Sequence, residues 1–252
     1  DMTLASGATI NIASAEIAHM LVDEGAGRLT IENQNINVDN GTISVDTAND
    51  LDLLTAGTIT AAIDTDETVE TLKTLTGTTH EYTIVIAAGD AETTTAADLN
   101  TINGKTTGTI DASAITVLAS DTITNIQTLL TAGNDTDQFA ADSFGSLTGV
   151  TVSDETLDGS KLADAIDQAN LATEDTSVVF TISDATTIEG SEANFTALLT
   201  DDGNDQIDID AQNLSVSGTI SVENANLLDV ATEGTITAAI DTDETVETLK
   251  TL

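Results

Sequence analysis

Nineteen residues of this chain occur twice without a change. GTITAAIDTDETVETLKTL spans 57–75 and returns at 234–252, an offset of 177 residues. Upstream the similarity continues more loosely. ATINIASAEIAHMLVDEG (8–25) aligns with TTIEGSEANFTALLTDDG (186–203), and QNINVDNGTISV (34–45) aligns with QNLSVSGTISV (212–222) after a one-residue gap. The chain therefore holds about one and two-fifths copies of a long unit, as in a stretch of a tandem array. The repeat predicts three parts: 1–56 as the C-terminal part of one unit or its equivalent, 57–233 as one full unit of about 177 residues, and 234–252 as the start of the next. Such a chain must use the same strand, turn and helix at two places in one architecture. That points to repeating structural modules before it points to a single reaction centre.

The composition narrows the partners. Forty-four acids face five bases (Arg28, Lys73, Lys105, Lys161 and Lys250), for a net charge of −39. Phosphate binding needs clustered cations, so nucleic acid is excluded as a partner, and an anionic membrane surface would repel the chain. Self-repulsion of this size weakens a compact state unless salt or bound cations screen it, which predicts a saline or calcium-rich medium. No apolar run approaches the roughly 20 residues of a membrane helix, so no membrane insertion is expected in this segment. The N-terminus, DMTLASGATI, lacks the basic-then-apolar pattern of a signal peptide. With 40% hydrophobic residues there is material for a core, but it is small and aliphatic. The aromatics are Tyr82, Phe139, Phe144, Phe180 and Phe195.

Inside the long unit runs a shorter rhythm. Thr-, Ile- and Val-rich segments with period-two alternation read as strands, among them MTLASGATI, RLTIENQNINV, GTISV, GTITAAI, YTIVIAA, GTIDASAITVL, VTVSD, SVVFTI and IDIDAQNLSV. Between them lie eight segments with apolar residues at i, i+3, i+4, opened by Ser, Thr or Asp and often closed by Gly: 14–25, 47–57, 66–77, 96–105, 121–133, 158–171, 191–203 and 223–234. Strands stack ~4.8 Å apart whereas helices need roughly 8–10 Å. Two strand segments per helix, such as RLTIENQNINV plus GTISV, or GTID plus AITVL, would reconcile the spacings. The expected fold is thus a β-rich repeat protein, an elongated parallel β-solenoid with short helices between strand layers, with tandem β-sandwich domains as the alternative. Eight helical signals weigh against sandwiches.

The segment TAADLNTINGKTTGTIDASAITVLASDTITNIQTLLTAG (95–133) resembles the repeats of giant acidic, Thr/Ala/Asp-rich surface or secreted proteins of marine bacteria, cyanobacteria especially, described as β-strand or calcium-binding-like repeats. The match covers about 40 residues, and elsewhere the likeness is one of composition and rhythm. It implies an extracellular or cell-surface location and a filament- or layer-forming architecture.

Candidate metal ligands follow from where acids collect on turns, since calcium takes carboxylate oxygens gathered on a loop. Asp64, Asp66 and Glu67, repeated as Asp241, Asp243 and Glu244, stand where a strand turns into a helix. The competing role there is capping and dipole compensation. Gly133-Asn134-Asp135 and Gly203-Asn204-Asp205 each match half of a calcium-binding glycine–aspartate nonapeptide, against the alternative of turns with Gly and Asn in the left-handed region. Asp201, Asp202, Asp205, Asp208 and Asp210 form the densest acidic cluster, the first place to seek Ca2+. His19 and His80 are too few for a histidine metal site, and no Ser lies in a nucleophile-elbow context.

The functional expectation is a structural extracellular repeat protein building a fibre, filament or cell-surface coat by end-to-end stacking, with neighbouring copies of the repeat, in the same or other chains, as partners. The alternative is a calcium-stiffened adhesin stalk. An enzyme is not expected. The outsider, a polysaccharide-cleaving β-helix enzyme, would want aromatic sugar platforms, and the chain has one Tyr and no Trp.

Overall fold

A computed structural model describes residues 2–173, 178–182 and 187–252. The chain divides into two compact units, Asp1–Thr94 with Asp98–Ile115 and Asp135–Ser143, and Thr95–Ala97 with Thr116–Asn134 and Phe144–Leu252. In chain order the first carries β1 (Met2–Thr3), β2 (Thr9–Ala13), α1 (Ile17–Gly25), β3 (Leu29–Thr30), β4 (Asn35–Ile43), α2 (Val45–Leu54), β5 (Ile59–Ile63), α3 (Val69–Leu72), β6 (Glu81–Val85), most of α4 (Ala96–Asn103) and β7 (Ile110–Asp111). The second carries β8 (Val117–Asp121), α5 (Ile123–Gly133), β9 (Gly149–Val152), β10 (Thr156–Asp158), α6 (Gly159–Thr173), β11 (Val179–Ile182), β12 (Thr187–Ser191), α7 (Glu192–Gly203), β13 (Asn213–Ile220), α8 (Val222–Ala231), β14 (Ile236–Ile240) and α9 (Val246–Leu249). Of the strand candidate SVVFTI, Ser177 lies outside the described residues.

This is an α/β fold, which corrects the β-rich solenoid expected from the sequence. More of the described residues are helical than extended, and strands alternate with helices in βαβ fashion. A five-stranded sheet, β2-β4-β5-β6-β7, belongs to the first unit. The second unit has a three-stranded sheet, β8-β9-β11, and a four-stranded one, β10-β12-β13-β14. Every described strand pair is parallel, which also removes the antiparallel sandwich alternative. The βαβ crossover is the unit shared with Rossmann-like domains. Here the described strands follow chain order without the reversal that creates a ligand crevice in doubly wound sheets.

The double-strand reading failed for a local reason. INV and GTI are one strand, β4, carrying a bulge at which the register against β5 shifts between Asn37 and Thr42. Gly41 takes φ +89° inside it, and Gly218 takes φ +87° at the matching place in β13. A non-glycine residue held there costs about 1–2 kcal/mol. GTID and AITVL go the other way: β7 joins the first unit's sheet and β8 the second unit's.

Alternation decides the faces. In β5 the residues Ile59, Ala61 and Ile63 are buried, while Thr60 and Ala62 are partly exposed. The outer face is polar: Asn37 Nδ2 donates to Asn11 Oδ1 at 2.8 Å, and Thr60 Oγ1 to Glu81 Oε2 at 3.0 Å. Parallel sheets are usually buried on both faces, so a wet polar ladder on one side marks this sheet as a two-layer arrangement. In both units helices start where a Ser or Thr hydroxyl caps them: Ser44, Thr68, Thr122, Ser191, Ser221 and Thr245 each accept an amide three residues on.

Helices are tied back to strands by a recurring T-x-G-T-I turn at 55–59, 106–110 and 232–236. The Thr is buried in each, and its hydroxyl donates to a carbonyl of the preceding strand's segment: Thr55 to Gln34 (2.6 Å), Thr106 to Tyr82 (2.8 Å) and Thr232 to Gln212 (2.7 Å). It also accepts the amide of the Gly two residues later. A Cβ on Gly57, Gly108 or Gly234 would overlap those same carbonyl groups, so the spacing admits only glycine.

Candidate functional site

Of the six acids predicted as ligands at the strand-to-helix turns, Glu67 and Glu244 are placed as structural staples. Glu67 Oε1 accepts the amide of Val45, the first residue of α2, at 2.9 Å, and Glu244 Oε1 accepts that of Val222, the first of α8, at 2.9 Å. Asp64 accepts a hydrogen bond from Thr42, while Asp66 and Asp243 are exposed in their turns and Asp241 is half-buried. The device recurs with other acids. Asp90 Oδ2 takes the amide of Val69 (3.0 Å), Asp121 Oδ2 that of Ala97 (2.6 Å), and Asp154 Oδ2 that of Ile123 (2.7 Å). Each helix named thus has its first turn satisfied by a carboxylate from the module that follows it in sequence. A helix N-terminus carries about half a positive charge, so this is where an anion is most stabilising. Glu192 does the same job in the other direction. It accepts from Asn224 Nδ2 (2.7 Å) and from Ser221 N and Oγ (both 3.0 Å), and these bonds, Asn224's foremost, hold its carboxyl below the usual range.

Asp135 also closes on itself. Its carboxylate accepts Gln138 Nε2 (2.8 Å) and the Asp137 amide (3.0 Å), which lowers its pKa, the Gln138 bond contributing most. In the two Gly-Asn-Asp turns the asparagines are helix C-caps at φ −85° and −97°, and the left-handed residue is Asp205, at φ +59°.

The acidic cluster around 201–210 is where the structure brings carboxylates together. Oxygens of Asp202, Asp208 and Asp210 lie within 4.8 Å of one another. They border a cavity of about 620 Å3 lined also by Asp205, Phe180, Ile207 and Gln212. The Gln212 Oε1 is buried and has no hydrogen-bond partner among the described residues. Desolvation raises the Asp202 pKa, opposed by the hydrogen bond from the Ile209 amide and reinforced by the neighbouring charges of Asp210, Asp208 and Asp205. Asp201 is not part of the trio. Burial, with the charge of Asp167, pushes its carboxyl up to about 6. Oxygen donors crowded this way can hold a hard cation.

The sign of the Asp201 effect is testable. Between an unfolded value near 3.9 and the folded value of about 6 the native state binds more protons, so this group makes stability fall as pH rises through that window. Asp201→Asn is therefore expected to raise the melting temperature at pH 7 and to flatten the slope between about pH 4 and 6. Thermal melts of both proteins across pH 4–7 check it. An unchanged slope would mean that Asp201 ionises normally.

One buried polar constellation was not anticipated. His80 Nε2 lies 2.6 Å from Asp52 Oδ1, and His80 Nδ1 accepts the Ile59 amide at 3.1 Å, which fixes the Nε2–H tautomer. Burial alone would push Asp52 up, but its hydrogen bonds with His80 and Thr76 hold it below the usual range. Tyr82 stacks at a tilt 5.4 Å from His80, and burial raises its phenol pKa. No sequence signal tied Asp52 on α2 to His80 beyond β5. His19 is elsewhere, beside Glu16 on the surface. No helix among the described residues is long and apolar enough to cross a membrane.

No family model, curated protein or solved structure matches the chain.

Proposed function

We propose that this chain is a structural segment of an extracellular repeat array, one in which α/β modules held in chain order build a fibre, filament or cell-surface coat. The observation that carries the reading is the staple. At α2, α3, α4, α5 and α8 an acid of the following module occupies the helix N-terminus of the one before. This gives the acid excess an architectural use that any number of modules could repeat. The resemblance of 95–133 to repeats of giant acidic marine surface proteins supports the location. Immunogold labelling of intact cells of the source organism with antibody to this chain tests it. Surface-arrayed label is expected, and label appearing only after permeabilisation would overturn the reading.

A second reading, the calcium-stiffened stalk, draws on the Asp202–Asp208–Asp210 trio and the orphan Gln212 Oε1. If it holds, millimolar Ca2+ at constant ionic strength raises the melting temperature, and Asp208→Asn removes most of that rise. A melt indifferent to both calcium and chelator would discard it.

A further inference from the structure

The duplicated nineteen residues form the same strand, turn and helix in two surroundings. In the first copy Val69, Leu72 and Leu75 are 6%, 0% and 0% exposed, whereas Val246, Leu249 and Leu252 are 72%, 42% and 62% exposed. What differs is the neighbour. The first copy is covered by the module that follows it: β6 pairs with β5 in the register Thr60↔Glu81, Ala61↔Tyr82, Ala62↔Thr83. Lys73 reaches Asp98 at 2.7 Å, and Asp90 caps the Val69 amide.

The polar anchors for that neighbour are kept in the second copy. On α2, Asn49 Oδ1 accepts from Thr76 N (2.8 Å) and Oγ1 (3.1 Å), and Asp52 binds His80. The matching residues of α8, one repeat on, are Asn226 and Asp229. Both line a groove of about 250 Å3 completed by Ala225, Ile236, Ala238, Ile240 and Leu252. An apolar groove that retains the asparagine and aspartate seats, beside a strand edge, specifies its occupant by analogy within the same molecule.

We propose that the face formed by α8, β14 and α9 is a docking surface for a strand–helix module with the sequence of residues 76–103, joined in tandem. Its strand adds in parallel to β14. Its threonine equivalent to Thr76 seats on Asn226, its histidine equivalent to His80 on Asp229, and its aspartate equivalent to Asp98 faces Lys250. The inference deepens the array reading and rests on it for the tandem source of the module. Labelling of cells tests the array, and amide exchange at one strand tests the surface.

The experiment compares the chain with one extended after Leu252 by the sequence of residues 76–112, and with one extended by the same residues scrambled. Hydrogen exchange is read at the amides of Ile236–Ile240. The native extension is expected to slow them about tenfold or more, as a paired interior strand exchanges more slowly than a frayed edge. Asp229→Ala should remove most of that gain in the extended chain while leaving those amides unaltered in the unextended one. Equal rates with native and scrambled extensions would overturn the proposal. So would protection of the unextended chain that grows with its concentration, which would assign the face to a second copy in trans. Should the extended chain not fold, a peptide of residues 76–86 added to the unextended chain must shift the NMR signals of Ala225, Asn226, Asp229 and Ile236–Ile240, and silence there would equally overturn it.

Discussion

Leu72→Ala is expected to cost about 2–5 kcal/mol, and Leu249→Ala less than about 1 kcal/mol, although the two leucines sit in identical nineteen-residue stretches. Leu72 is fully buried on α3, and truncation there leaves a cavity walled by rigid neighbours. Leu249 on α9 keeps 42% of its surface in water, so less transfer energy is lost and solvent fills the gap. Local propensity, capping and turn chemistry are the same for both, since Thr68 and Thr245 cap the two helices alike. The difference between the variants therefore isolates tertiary burial from everything encoded locally. Urea denaturation of each, with the slope m compared to confirm that the same surface unfolds, measures it. Equal costs would mean that the second copy is covered in solution.

This pair also shows how far the sequence could be read. Helix starts were legible where a Ser or Thr accepts the amide three residues on, a local device, as at Thr122 and Ser191. By contrast, α2 is capped by Ser44, inside an expected strand and ahead of the expected start at residue 47. Among the described residues each of the eight segments with helical spacing overlaps an α-helix, and α9 is the second copy of α3. Strand bookkeeping was not legible. Asp39-Asn40-Gly41 looks like a turn between two strands, yet its register shift belongs to one bulged strand, and only the partner β5 decides which. Balancing helix and strand spacings by counting two strands per helix then led to a β-rich solenoid instead of an α/β fold with one helix per crossover.

The candidate site was half legible for a related reason. Clustering along the chain located Asp202, Asp208 and Asp210, whose turn is local, so that proximity in sequence became proximity in space. Glu67 and Glu244 also sit in acidic turns, but their partners are helix amides 22 residues away. Nothing within the turn Asp64–Glu67 distinguishes a ligand from a cap. Asp52 and His80 are 28 residues apart and joined through the crossover, beyond any spacing rule.

Thr106→Val should cost about 2–4 kcal/mol, with Thr106→Ser recovering most of it, because the hydroxyl and not the shape of this side chain is what the fold uses. Its Oγ1 accepts the amides of Tyr82 (2.8 Å) and Gly108 (2.9 Å) and stands within bonding distance of the carbonyls of Tyr82 (2.8 Å) and His80 (3.2 Å). Valine has nearly the same volume and fills the site without a cavity, so the loss reports the polar groups alone. The buried Tyr82 amide and the half-buried Gly108 amide would be left without this acceptor, at about 1–3 kcal/mol each, the Tyr82 amide at the upper end. Serine restores the oxygen and gives up only a methyl, about 1 kcal/mol. The damage should also spread along the T-x-G-T-I turn to the neighbouring module, since Thr107 N donates to His80 O at 2.8 Å and His80 in turn holds Asp52 and the Ile59 amide. Amide exchange at Ile59, Tyr82 and Gly108 distinguishes this from a global loss. In Thr106→Val these three should exchange faster than amides of α5, and in Thr106→Ser they should stay protected. A uniform acceleration through the chain would instead show that the turn carries no special share of the module junction.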